Sequence, residues 1–142
     1  MSTALYQDAL VSLANSRIGA LRLQCPDASV RVDNPLCGDE VTLDLRVRSG
    51  TVEQIGHCVR GCILCEASAA WIASHAPGCG VSEIKAMAGA MRELMAHGTL
   101  PEGDQWAQAG VFSPVHQAKS RRRCVLLAFE ALELALAELE QQ

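Results

Sequence analysis

Residues 40–59, EVTLDLRVRSGTVEQIGHCV, decide the fold. Val41, Leu43, Leu45 and Val47 alternate with Thr42, Asp44, Arg46 and Arg48. A strand with that pattern turns one face to a core and the other to water. Ser49-Gly50 supplies a hairpin turn, and Thr51 to Val59, with Val52 and Ile55 prominent, returns beside the first strand. Just upstream, Ser29-Val30-Arg31-Val32-Asp33 alternates too and predicts a shorter strand. Between them lies Asn34-Pro35-Leu36-Cys37-Gly38-Asp39, a turn by its chemistry, since proline fixes φ and glycine tolerates a positive φ. Short turns joining these segments predict an antiparallel sheet.

Helical spacing flanks this region. Residues 4–23 place Leu5, Tyr6, Leu10, Leu13, Ala14, Ile18, Leu21 and Leu23 along an amphipathic helix that Cys25-Pro26-Asp27 should end. From Gly61 the period changes. Cys62 to Ala73 is alanine-rich and apolar nearly all round, a buried helix stopped near Pro77-Gly78. Ser82 to His97 predicts another helix, with Ser82 as N-cap and Ile84, Met87, Ala88, Met91 and Met95 on one side. Residues 98–114 hold three glycines and two prolines and read as irregular. The last helix should run from about Arg121 to Glu140, with Val125, Ala128, Phe129, Leu132 and Leu136 facing inward. The order predicts an α+β domain: a three-stranded antiparallel sheet with helices packed on one face. Residues 1–142 are expected to form one such domain, with an irregular insert at about 95–115.

The composition is that of an ordinary globular chain, 49% hydrophobic and 20% charged, and the formal net charge is −4. That balance gives no general attraction to nucleic acid or to an anionic membrane, and neither is expected as a partner. Met1 to Asp8 lacks a basic stretch followed by an apolar run, and no segment approaches the roughly 18 apolar residues that span a bilayer. A cytoplasmic location is therefore expected. In such a reducing place the seven cysteines (25, 37, 58, 62, 65, 79 and 124) are not disulfides; an odd number cannot all pair within one chain. They are metal ligands, reactive thiols or small core residues.

Three cysteines stand where a fold would present them to a metal. Cys37 lies in the turn before a strand, with Asp39 two positions on. Cys62 follows Gly61 at a helix start, and Cys124 opens the last helix directly after Arg121, Arg122 and Arg123. A helix N-terminus carries partial positive charge and unpaired N–H groups that favour a thiolate. Three thiolates and a carboxylate suit tetrahedral Zn²⁺ or one edge of an iron–sulfur cluster. Cys65 shares a helix face with Cys62 and could join them, although free cysteine is among the most buried residue types and a core role is the simpler reading. Cys58 reads as core or as a spare thiol near the site. His57 and His116 read as surface or strand-edge residues, and Cys25 and Cys79 as incidental.

Asn34-Pro35-Leu36-Cys37-Gly38-Asp39, then Gly61-Cys62-Ile63-Leu64 with Ala67-Ser68-Ala69, then Arg121-Arg122-Arg123-Cys124-Val125-Leu126-Leu127-Ala128-Phe129 resemble, in order, three signature segments of the NifU/IscU-type iron–sulfur cluster assembly scaffolds. The insert before the third segment and the arginine before Cys124 are similar to the SufU-like branch. The resemblance implies metal ligands Cys37, Asp39, Cys62 and Cys124. It implies zinc, iron or a labile iron–sulfur cluster as what they hold, a 2Fe–2S cluster being the expected type. It also implies a pyridoxal-phosphate cysteine desulfurase that passes sulfur to Cys37, the catalytic candidate. Recipient apo-proteins or carrier proteins would follow, and Arg121 would help dock the desulfurase. The alternative is a zinc-bound sulfur acceptor that never holds a cluster, at most a zinc-dependent sulfurtransferase. The chain departs from the pattern at Cys65, where a serine is usual, at the additional thiol Cys58, at Ala118-Lys119, and at Leu13-Ala14-Asn15-Ser16-Arg17.

Overall fold

Ser49 and Gly50, with φ of 54° and 78°, close a hairpin between β2 (Asp39–Arg48) and β3 (Thr51–Arg60). Paired positive φ values match the right-handed twist of the strands they join. In this computed structural model, which describes residues 3–140, β1 (Ala28–Asn34) pairs antiparallel with the other side of β2, giving the order β1-β2-β3. The register runs from Ala28 opposite Leu45 to Asn34 opposite Asp39, so the turn at 35–38 hands the chain directly to Asp39.

Val41, Leu43 and Leu45 are fully buried, and the helices lie over them. These are α1 (Thr3–Asn15), α2 (Ile63–His75), α3 (Val81–His97) and α4 (Arg122–Glu140). α4 crosses β1 and β2, α2 packs against α4 and β3, α1 covers α2, and α3 flanks α4. The predicted three-stranded antiparallel sheet with helices on one face is the observed fold. Ala67, Ala69 and Ala70 have little side chain to separate α2 from its neighbours, and all are buried. Phe129 of α4 meets Trp71 of α2, ring centroids 5.8 Å apart. Side-chain positions at Leu5 and Tyr6 lie outside the described residues. Among those described, no helix is long and apolar enough to cross a membrane.

Several elements depart from what local spacing predicts. α1 stops at Asn15 rather than near Cys25: Ser16 folds its hydroxyl back to the Leu13 carbonyl, and Arg17 and Gly19 take positive φ (56° and 73°). Ser82 is not the N-cap of α3. Gly80 holds that position, and Glu83 accepts its N–H at 3.1 Å, placing a carboxylate at the positive helix end. The segment read as irregular is wound largely into 3₁₀ turns, Asp104–Gln117 and Lys119–Arg121. Ala109, Phe112 and Val115 are buried there. Their spacing of three is the period of that helix, so one stripe faces the core. His116 Nδ1 donates to the Met95 carbonyl, and Arg122 Nε donates to the His116 carbonyl at 2.7 Å, tying the insert to α3 and to the start of α4.

Asp44 is the other correction. Strand alternation puts it on the wet face, yet it is fully buried. Residues 19–24 cross that face as a strap: Gly19 accepts the His57 N–H at 2.8 Å, and the Leu23 N–H donates to Asp44 Oδ2 at 2.9 Å. Gly56 makes the crossing possible, because a Cβ there would strike the Leu21 carbonyl and the Leu23 side chain. Arg22 Nε (2.7 Å) and Ser29 Oγ (2.6 Å) complete the carboxylate's partners. Burial alone would push this carboxyl up; the hydrogen bonds from Arg22, Ser29 and Leu23, with the Arg22 charge, outweigh it and hold it below its ordinary value.

A carboxylate with a lowered pKa stabilises the fold above its unfolded value of about 4, and that contribution is lost as pH falls through the folded value. Arg22→Ala should therefore lower the urea midpoint at pH 7, by less than the loss of a fully buried pair would, because Arg22 is half exposed. The gap from the unsubstituted protein should close as pH falls through the lowered folded value of Asp44. Urea unfolding at neutral and acid pH measures it. A midpoint unchanged at pH 7 would contradict the role given to Arg22.

Candidate metal centre

The end of β1, the start of α2 and the start of α4 meet beside Asp39. Its carboxylate is buried, and Oδ1 accepts the N–H of Cys62, the N-cap of α2, at 3.0 Å. A strand residue thus supplies the anion that the helix N-terminus favours. Gly61 touches the same carboxylate so closely that a Cβ would overlap Oδ1. This glycine is required for space rather than for backbone freedom.

Around Asp39 stand three sulfurs. Cys62 Sγ is 3.7 Å and Cys65 Sγ 3.3 Å from Asp39 Oδ2. Cys65 Sγ also lies 3.2 Å from the Cys124 carbonyl, and one turn on Ser68 Oγ donates to the Val125 carbonyl at 2.6 Å. These contacts fix α2 against the first turn of α4 and so position Cys124. One ligand atom from each of Asp39, Cys62, Cys65 and Cys124 lies within 4.8 Å of all the others. In a tetrahedron with metal–sulfur bonds of ~2.3 Å and metal–oxygen bonds of ~2.0 Å, donors stand about 3.5–3.8 Å apart. The four side chains fit such an ion after small contractions, and soft thiolates suit zinc or iron.

Electrostatics distinguishes the thiols. The Cys62 thiol is pulled down to about 6, first by the adjoining Cys65 thiol and then, against its own burial, by the N–H groups of Cys65 and Leu64 at the helix start and by Cys124. Cys65 is pushed up by its contact with Cys62, by burial and by Asp39; Cys124 is pushed up by burial, Asp39 and Cys62. Alkylation of Cys62 in metal-stripped protein, followed by mass spectrometry, should rise with a midpoint near pH 6. Labelling of Cys62 that rises only above pH 8 would contradict this.

Cys37 is placed differently. It is exposed on the turn, outside the group of four. Asn34 holds that turn by itself: its carbonyl accepts the N–H of Cys37 and Gly38, and its side-chain Oδ1 accepts the Leu36 N–H. Cys65 is fully buried as the core reading expects, and it also belongs to the group, as the helix face it shares with Cys62 allowed. Cys58 is exposed on the strap side of β3, neither core nor near Asp39. His57 is not a surface residue but buried, its Nε2 donating to the Ile18 carbonyl at 2.8 Å and its imidazolium disfavoured by burial. His116 serves the insert. Cys25 is exposed, and Cys79 Sγ contacts the His75 carbonyl at 3.3 Å. Of the three arginines, Arg122 anchors the insert, Arg123 reaches Glu130, and Arg121 is exposed with no ion-pair partner among the described residues.

No family model matches the chain. It is similar to the iron–sulfur cluster assembly scaffold protein IscU of Thermotoga maritima, 28% identical over 139 residues and 96% of each chain. The crystal structure of a SUF-system protein from Fervidobacterium islandicum shares its fold, with a TM-score of 0.86 at 21% identity over 96% of this chain and 99% of that one. The crystal structure of a NifU-like protein (N-terminal) from Brucella abortus superposes with a TM-score of 0.90, at 30% identity, covering 96% of this chain and 95% of that one. Shared sequence and shared architecture over nearly the whole length thus agree, and the chain belongs to the NifU/IscU family of iron–sulfur cluster assembly scaffolds.

Proposed function

We propose that this scaffold takes sulfur from a pyridoxal-phosphate cysteine desulfurase at Cys37 and assembles its cargo, an iron–sulfur cluster of the 2Fe–2S type, on Cys37, Asp39, Cys62 and Cys124. The observation that supports this reading most directly is the convergence of Asp39, Cys62 and Cys124 from three element ends, with an exposed thiol two residues before Asp39. Asp39 adds a hard oxygen to soft sulfurs, a weaker bond than a fourth thiolate would make, and this suits a protein that must hand its cargo to recipient apo-proteins or carriers. Cys62, favoured as a thiolate by the Cys65 thiol and by the N–H groups at the α2 start, is the group readiest to bind first. Arg121, exposed beside Cys124, is available to a docking desulfurase.

The test is iron and acid-labile sulfide analysis of the purified protein before and after incubation with a cysteine desulfurase, cysteine and ferrous iron. Equal iron and sulfide, gained by the native chain and lost in Cys62→Ser, is expected. A second reading, a zinc-bound sulfur acceptor, is favoured by the presence of a fourth donor, the buried Cys65, which makes a closed set of the kind that holds a resident ion. It predicts a colourless protein with one zinc per chain that gains sulfane sulfur but no iron.

A further inference from the structure

Cys65 and Cys37 offer the site two alternative thiols, and the structure separates them. We infer that Asp39, Cys62, Cys65 and Cys124 hold a divalent metal ion on their own, so that Cys37 stays free to carry sulfur while the ion is bound. The inference rests on the zinc-bound reading above and names the four donors that hold the resident ion, Cys65 in place of Cys37.

The geometry makes the case. Four donors already lie within 4.8 Å of one another, and Cys37 is not among them. Cys65 is wedged between Asp39 Oδ2 and the Cys124 carbonyl, so its sulfur needs no backbone movement to reach an ion placed among the other three. The Cys37 turn, by contrast, is complete without the metal. Asn34 is buried, satisfies the backbone of Leu36, Cys37 and Gly38, and leaves the Cys37 thiol in solvent. Recruiting Cys37 would have to draw an exposed side chain inward; recruiting Cys65 exchanges one sulfur contact for another. A four-coordinate zinc site is full with four protein donors, so the position filled by Cys65 is one that Cys37 need not supply.

A free Cys37 thiolate can attack the outer sulfur of an incoming persulfide. The new S–S bond forms at Cys37 as the donor's S–S bond breaks, the donor leaves as its thiolate, and the proton stays on the transferred sulfur, with no net oxidation. None of the four ligating side chains takes part in that exchange.

Cobalt(II) titration of the apo-protein tests the inference, because sulfur-to-cobalt charge-transfer absorbance grows with the number of bound thiolates. The native chain should bind one Co²⁺ with the intensity of three thiolates. Cys37→Ser should keep all of that intensity. Cys65→Ser, whose hydroxyl can still bond Asp39 and spare the fold, should lose a third of it and bind at least tenfold more weakly. With zinc bound, a low-molecular-weight persulfide should add the mass of one sulfur atom at Cys37 while the zinc stays. Any loss of charge-transfer intensity in Cys37→Ser, or undiminished intensity in Cys65→Ser, overturns the inference and leaves the scaffold reading standing. A native chain that binds neither cobalt nor zinc nor iron overturns both.

Discussion

Gly61→Ala is expected to fold and yet lose most of the site's affinity for a divalent metal ion, with zinc as the probe. The added methyl would occupy the space of the Asp39 carboxylate, and the contact is with the carboxylate's oxygen and carbon rather than with a flexible tip. Gly61 itself is exposed, so the backbone there can give slightly, and the cost in stability should stay near the low end of overpacking, about 1 kcal/mol. The carboxylate, however, loses its bond to the Cys62 N–H and its place among the sulfurs. Displacing or disordering a ligand's support typically costs 10- to 100-fold in metal affinity, and a loss of about that size is expected in competition with a chromogenic chelator. The attribution can be checked by a double-mutant cycle: in an Asp39→Ala background, Gly61→Ala should add almost nothing. Additive losses would mean that glycine serves something other than the carboxylate.

Phe129→Ala should be among the most damaging single truncations in the core. The ring is buried on α4, packs on Trp71, and belongs to the layer that covers the sheet. Truncating a buried phenylalanine costs about 3–5 kcal/mol in lost transfer energy and residual cavity. That is a large part of the total stability of an ordinary domain. Phe129→Leu should cost about 1–1.5 kcal/mol, since most of the volume is kept. Because α4 also carries Cys124, saturating zinc should restore part of the loss in Phe129→Ala by mass action on the folded state. Urea unfolding with and without zinc measures both effects. A cost below 1 kcal/mol would show that the α2–α4 layer repacks freely.

Much of this architecture could be read in the chain because strand alternation and helical spacing act locally. Val41, Leu43 and Leu45 announced the buried face of β2, and the hairpin at Ser49-Gly50 followed from turn chemistry. What could not be read depended on segments distant in sequence. Asp44 looks wet by alternation, and only the strap at 19–24 buries it. His57 is buried on the core face of an edge strand because that strap and α2 close over it. The helix predicted to run to Leu23 ends at Asn15 because the chain must turn to reach β3, and apolar residues at Leu21 and Leu23 serve the strap instead. At the site, element ends were legible as places for Asp39, Cys62 and Cys124. The membership of Cys65 was visible only as a helical spacing, with burial arguing the other way; both turn out to apply, since the group is itself inside the molecule.

The strap has a consequence for the life of the chain outside its native state. β3 borders the sheet, and a border strand offers its N–H and C=O groups to any other extended polypeptide. Gly19 occupies one of those positions through the His57 N–H, and the residues that follow lie over the adjoining face. Whatever peels residues 19–24 away, whether proteolysis, a misplaced proline or loss of the Arg22–Asp44 pair, would convert that border into a template for assembly between copies, with aggregation preceding global unfolding.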